Sequence, residues 1–180
     1  MEAITGATEG DLSGVIASAT AGDDVAFGRI VGAHHDDMRR VCVFITRQDA
    51  LADDAMQAAW TIVWRKLGSL REPARLRYWL VSIAANEAKK LVKKRGRRAE
   101  LEVAADTSEK PGGVDPATGV DAIDLRAALL RLDPDDRALL AMRYVAGFDS
   151  NELAVALGIS PSGTRNRLER LRTRLRQELE

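Results

Sequence analysis

The sequence predicts an all-α protein of two small helical domains joined by an acidic flexible linker. Helical apolar spacing recurs along the chain, and no strand-like alternation survives anywhere. The main interruption is residues 99–121, where Pro111-Gly112-Gly113, Pro116 and Gly119 punctuate an acidic, weakly periodic run. A length of 180 residues suits one ordinary domain or two small ones. The expected division is a flexible N-terminal extension over 1–22, a first domain over 23–98, the linker over 99–121 and a second domain over 122–180.

The first long helix is expected from Asp24 to about Arg47. Phe27, Ile30, Val31, His34, Met38, Val41, Cys42 and Ile45 form its apolar stripe. The second runs from about Ala50 to Leu67, with Asp49 as N-cap and Gly68-Ser69 as the stop, and holds Trp60 and Trp64 one turn apart. Pro73 breaks the pattern. A third helix starts near Leu76, collects Leu80, Ile83, Ala84 and Leu91 on one face, and is expected to end or fray at Gly96. Beyond the linker, helix resumes over Ala122–Leu132. It resumes again after Asp133, where Pro134 takes the favoured first position with acids behind it, and is expected to last until Gly147. Asp149-Ser150-Asn151-Glu152 reads as a capping box that opens a short helix ending at Gly158. The last helix starts near Ser162 and places Thr164, Leu168, Leu171, Leu175 and Leu179 on one side.

Composition excludes several classes. No apolar run approaches the ~18 residues that span a bilayer, and Met1 to Thr20 lacks the basic start and apolar core of a signal peptide, so a cytoplasmic chain without membrane contact is expected. One cysteine, Cys42, rules out an intrachain disulfide and a Cys-rich zinc site. His34 and His35 point to different helix faces and have no third ligand, so His34 reads as a core or boundary residue. No metal or cofactor is expected. There is no Gly-rich phosphate loop, nucleophile elbow or distinctive carboxylate pair, and nothing argues for an enzyme.

Charge carries the functional signal. The whole chain has 27 basic and 27 acidic residues, but the successive segments 1–64, 65–98, 99–136 and 137–180 carry net charges of −6, +10, −7 and +3. Two separate basic blocks can each meet a polyanion, while the acidic blocks must face something else. In the last helix, Asn166, Arg170 and Thr173 lie opposite the leucine stripe, flanked by Arg165 and Arg167 near the N-terminus. After a short helix and a tight turn, this is a helix-turn-helix candidate, in which Asn and Arg read base edges and flanking arginines hold phosphates. The third helix collects Ser82, Asn86, Lys89, Lys90, Lys93 and Arg97 on one side, with Tyr78-Trp79 available to stack on unpaired bases. The second helix presents Asp53, Asp54 and Gln57 on an otherwise apolar surface with Trp60 and Trp64, which suits either a core or a protein-docking face.

Several of these residues together resemble the extracytoplasmic-function (ECF, group IV) sigma factors of bacterial RNA polymerase. In the first domain the resemblance is carried by Asp54-Ala55-Met56-Gln57-Ala58-Ala59-Trp60, Trp64, Trp79-Leu80 and Ile83-Ala84-Ala85-Asn86. In the second it is carried by Leu132 to Tyr144, Gly147-Phe148, Glu152-Leu153-Ala154, Leu157-Gly158-Ile159-Ser160 and Arg165-Asn166-Arg167-Leu168. It spans about residues 23–98 and 122–179 and implies the fold of sigma regions 2 and 4. It also implies a promoter-specificity subunit that binds core RNA polymerase, recognises promoter DNA and melts it. The resemblance puts Asp53, Asp54, Gln57 and Trp60 at polymerase docking, and Tyr78, Trp79, Asn86, Lys89, Lys90, Lys93 and Arg97 at the −10 element. It gives the loop from Gly68 to Arg77 the capture of a flipped base, and Ser162, Arg165, Asn166, Arg167 and Arg170 the −35 element. It implies an anti-sigma partner and threads the linker toward the RNA exit path. Ala58 replaces a common acid of the family, Glu87 sits where an aliphatic residue is usual, with Lys90, Lys94 and Leu91 in helical reach, and Thr164 replaces Val. Read from the residues alone, a dimeric operator-binding regulator and a helical scaffold remain open beside this reading.

Overall fold

The structure is a computed structural model that describes residues 9–103 and 120–179. Among the described residues there is no strand, as expected. Helix α1 (Glu9–Thr20) comes first, so part of the expected flexible extension is ordered secondary structure. The reason is burial: Ile16 and Ala19 face the core, with Leu12 and Val15 packed beside them, a stripe of only about two turns among small and polar residues that is inconspicuous in the sequence. Residues 1–8 of that extension lie outside the described residues.

Helix α2 (Asp24–Thr46) is opened by Asp23, whose side chain accepts from the backbone N–H groups of Val25 and Ala26, and is closed by Arg47 in the left-handed region at φ 59°. Helix α3 (Asp49–Lys66) starts one residue earlier than expected, with Gln48 at the N-cap and Asp49 already in the first turn. Two single 3₁₀ turns, Leu67–Ser69 and Pro73–Arg75, lead into helix α4 (Leu76–Val103). That helix runs straight through Gly96. A glycine costs only about 1 kcal/mol relative to alanine in a helix, and its neighbours Lys94, Arg95 and Arg97 are good helix formers.

Helices α2, α3 and α4 pack on one another around Ile30, Met38, Val41, Cys42 and Ile45 of α2, Met56 and Val63 of α3, and Leu80 and Val81 of α4. Buried alanines at 52, 55 and 59 of α3 and at 84, 85 and 88 of α4 let these helices approach closely. Helix α1 closes one end, lying on α2 and on both 3₁₀ turns.

The expected linker falls largely outside the described residues, which resume at residue 120. Helix α5 (Val120–Arg131) is followed by α6 (Pro134–Leu140), capped by Asp133, whose carboxylate accepts from the N–H groups of Asp135 and Asp136. The sequence pattern continues to Gly147, but the last turn, Ala141–Val145, widens into π geometry. Helix α7 (Ser150–Leu157) has the expected capping box of Asp149 and Glu152 and ends on Gly158 at φ 67°. Helix α8 (Pro161–Leu179) lies across α5, α6 and α7 through Leu168 and Leu171. The apolar core runs on without a break between the two helical groups, because α6 and the π turn pack against α2 and α4.

Candidate nucleic-acid interface

The helix-turn-helix is built by three local devices. The capping box fixes where α7 begins, Gly158 turns the chain after it, and Ser160 starts α8 by accepting from the Gly163 N–H at 3.1 Å. Thr164 is fully buried, and its hydroxyl donates to the Ser160 carbonyl at 3.1 Å, which ties α8 to the turn. With Leu168 and Leu171 inward, Ser162, Arg165, Asn166 and Arg170 are exposed together near the start of α8, while Leu179 at the other end of the expected stripe is exposed. Among the described residues, Arg165, Asn166 and Arg170 make no side-chain hydrogen bond or ion pair. Arg167 differs. It is partly covered and grips Asp136 through Nε at 2.7 Å and Nη2 at 2.6 Å. The Asp136 carboxyl sits above its ordinary range because burial outweighs that arginine.

The second basic face lies on α4. Asn86, Lys90, Lys93 and Arg97 are exposed and Lys89 is half-buried. Lys90 binds Glu87 at 2.6 Å, which supplies the partner for that unusual acid, whose side chain is only 14% exposed. Lys89 and Lys93 converge on one carboxylate, Asp135 at the start of α6, at 3.3 and 2.6 Å. Their ammonium groups hold the Asp135 carboxyl below its usual range, Lys93 contributing most. An open groove of about 370 Å³ lies here, between Ile62 and Lys66 of α3, Ile83, Asn86 and Lys90 of α4, and Asp135.

The aromatic pair at the head of α4 is also engaged. Tyr78 meets Phe148 edge-to-face at 4.9 Å, and the nearby Glu152 carboxylate raises the phenol above its ordinary pKa. Trp79 is half-buried against the core. In this arrangement the Tyr78 ring therefore packs on the second helical group rather than standing free to stack. Beside it Arg77 donates from Nε to Asp37 at 2.8 Å and from Nη2 to the Ala146 carbonyl at 2.9 Å. Burial works to raise the Asp37 carboxyl, but Arg77 and Arg40 together bring it below its ordinary range.

On α3, Asp53, Asp54 and Gln57 are exposed on one face. Asp53 is bridged to Asp49 by Arg39, 3.1 Å from each. Trp60 is half-buried; its indole N–H donates to His35 Nδ1 at 3.3 Å, and His35 stacks parallel to it. Trp64 stays 48% exposed, braced edge-on by Phe27 at 4.8 Å. His34 is half-buried, and burial lowers its pKa. Among the described residues no cluster of His, Cys, Asp or Glu could hold a metal, and no helix is long and apolar enough to cross a membrane.

Sequence reasoning missed Arg77, Asp135 and Asp136 as members of this surface. The two acids read as first-turn complements to a helix dipole, and nothing in their spacing shows that they meet basic residues about forty positions back and thirty ahead.

Comparisons with known proteins bear on the same segments. The Sigma-70 region 2 family matches residues 30–98 and the Sigma-70, region 4 family matches residues 122–175. SigM of Mycobacterium tuberculosis, described as an ECF RNA polymerase sigma factor, is 30% identical over 162 residues, covering 89% of this chain and 81% of that one. A probable RNA polymerase sigma factor, RfaY of Xanthomonas campestris pv. campestris, is 33% identical over 170 residues; they span 89% of this chain but 42% of that protein. The solved structure of CnrH in complex with the cytosolic domain of CnrY superposes with a TM-score of 0.67 at 25% identity, over 92% of this chain and 94% of that one.

Proposed function

Because the chain belongs to the ECF RNA polymerase sigma factors, with a region 2 and a region 4, we propose that it is a promoter-specificity subunit that directs core RNA polymerase to start transcription. The observation that carries this reading is the presence of two separate exposed basic faces, on α4 and on α8, beside an acidic and aromatic face on α3. A protein with one recognition helix addresses one DNA element per copy; this one addresses two of different kind.

In this reading Asp53, Asp54 and Gln57 dock on the polymerase, with Trp60 held by His35 as their support and Trp64 exposed beside them. Asn86, Lys89, Lys90, Lys93 and Arg97, with Tyr78 and Trp79, bind the −10 element. The basic side chains there neutralise backbone phosphates, and ring faces favour the separated strands by stacking on their unpaired bases. The loop 68–77 takes a flipped base. Arg165, Asn166 and Arg170 read the −35 element in the major groove with Ser162 at its edge, and Arg167 holds α8 against α6. The polymerase makes the bonds in this scheme, in the cytoplasm, and the subunit is not itself an enzyme. An anti-sigma partner fits the same reading, since CnrH, described as an RNA polymerase sigma factor, was solved in complex with the cytosolic domain of CnrY.

The test mixes the chain with sigma-free core polymerase, follows co-elution by size exclusion and maps RNA starts in vitro. Co-elution with discrete starts is expected. Failure to bind core, together with dimeric binding to a palindromic DNA, would overturn the reading.

A further inference from the structure

Helix α1 precedes residue 30, where the region 2 match begins, and the reading above leaves it without a role. Its packing is specific. Besides α2, it lies on both 3₁₀ turns of the 68–77 loop, Leu67–Ser69 and Pro73–Arg75. Ile16 and Ala19 enter the same buried cluster as Leu67 and Leu76, the two residues that anchor the loop's ends. Between those anchors the loop has its own shape. Leu70 N–H bonds the Leu67 carbonyl at 3.0 Å, Arg75 N–H bonds the Glu72 carbonyl at 2.9 Å, and the Arg75 and Glu72 side chains pair at 2.6 Å. Arg71, Glu72, Ala74 and Arg75 are left exposed.

The tightest point between brace and loop is Thr20 against Gly68. A Cβ placed on Gly68 would lie 2.9 Å from the Thr20 γ-methyl. That methyl cannot swing aside freely, because the Thr20 hydroxyl donates to the Ile16 carbonyl at 2.8 Å and so fixes the rotamer. Gly68 is therefore required by close approach of α1 and not by its own backbone angle.

From these contacts we propose that α1 presets the shape of the 68–77 loop and thereby helps select the promoter base the loop receives, with Thr20 and Gly68 as the positioning contact. The proposal deepens the function given above and rests on its assignment of this loop to base capture.

The experiment uses the full chain with core polymerase and transcribes a promoter library randomised over the −10 region, reading base preference from the RNAs made. Gly68→Ala is expected to flatten the preference at one −10 position about tenfold, the scale of one lost base discrimination. Co-elution with core and binding to a duplex −35 fragment should stay unchanged. Thr20→Ser keeps the hydroxyl and removes the methyl, so it should behave as the parent, and Gly68→Ala/Thr20→Ser should recover most of the preference even if Gly68→Ala alone folds poorly. A merely structural helix would lower thermal stability and leave base preference alone. An unaltered preference in Gly68→Ala, or no recovery in the double variant, overturns the proposal. The loop tip variant Arg71→Ala/Glu72→Ala separates the two layers. If it alters −10 preference while Gly68→Ala does not, the brace fails and base capture stands; if it alters no position, base capture fails and the brace inference falls with it.

Discussion

Side chains of one type on one helix do different things in this protein, and the difference is set by what lies opposite. Arg165 and Arg170 face outward from α8, whereas Arg167, between them in sequence, is held by Asp136. Arg165→Ala is therefore expected to leave the unfolding midpoint within error and to reduce the log–log salt slope of −35 duplex binding by about 0.9, the value for one phosphate contact. Arg167→Ala should instead lower stability, since it leaves the half-buried Asp136 carboxylate without its cation. Urea unfolding and salt titration of the two variants side by side check this, and equal salt slopes with equal midpoints would contradict it. Cys42 gives a second residue-scale prediction. It is fully buried, with its sulfur 3.6 Å from the Ala84 carbonyl, and burial pushes its thiol up to about 12. At pH 8 a disulfide reagent should react with it only after denaturant is added. Because the folded thiol holds its proton more tightly than the unfolded one, its stabilising contribution is full below pH 9 and is lost as pH rises from about 9 toward 12.

Helices and their caps were largely legible in the sequence because they are written locally. Asp133 precedes Pro134, Asp149 caps with Glu152 and Gly158 turns the chain, as read from the sequence, whereas Asp23 caps α2 without having been singled out and Gln48 takes the N-cap place read for Asp49. Replacing Asp149 by alanine removes the side-chain acceptor for the Asn151 and Glu152 N–H groups, keeps the backbone N–H that donates to Glu152, and should cost about 1 kcal/mol in urea unfolding. Three further boundaries were not legible, each for a tertiary reason. Helix α1 is fixed by its seat on α2 and the loop, α4 passes Gly96, and the turn Ala141–Val145 widens where it packs against α2 and α4. Gly96 tests the second of these directly. Nothing lies within 4 Å of a Cβ placed there, so Gly96→Ala should stabilise the chain by about 0.5–1 kcal/mol and raise its helical circular dichroism. A lowered midpoint would mean that the glycine serves a contact or a bend that the helix shown here lacks.

At the scale of the whole molecule, the candidate site was legible as two charged faces but not as a closed arrangement of them. Charge blocks and helix faces are properties of single segments; the meeting of Asp135 with Lys89 and Lys93, of Phe148 with Tyr78, and of the Ala146 carbonyl with Arg77 depends on how segments fold back on each other. Elements centred at −35 and −10 are about 25 base pairs apart, or about 85 Å at 3.4 Å per pair. A compact chain of this length has a radius of gyration of only about 16 Å, so both faces cannot reach their elements while α6 lies on α4. Region 4 must move away for the promoter reading to work, and Asp135 holds two of the lysines that this reading assigns to DNA. These ion pairs are partly exposed, and such pairs contribute about 0–1 kcal/mol each, so the apolar packing of α6 and the turn 141–145 on α2 and α4, with Tyr78 on Phe148 beside it, should do most of the holding. Asp135→Lys is expected to raise the free chain's affinity for a single-stranded −10 oligonucleotide several-fold at low salt and less at high salt. It should also lengthen the distance between dyes placed on Thr61 and Thr173, both exposed, while Cys42 stays unlabelled. The pH dependence follows from the sign of the shift. The Asp135 carboxyl is lowered when folded, so its share of the closure is present above its unfolded value of 3.8 and is lost as pH falls through the lower folded value. From pH 5 to 8 this group should leave the dye distance unchanged. A charge-reversed chain with the parent's dye distance and the parent's oligonucleotide affinity would show that Asp135 does not restrain the −10 face.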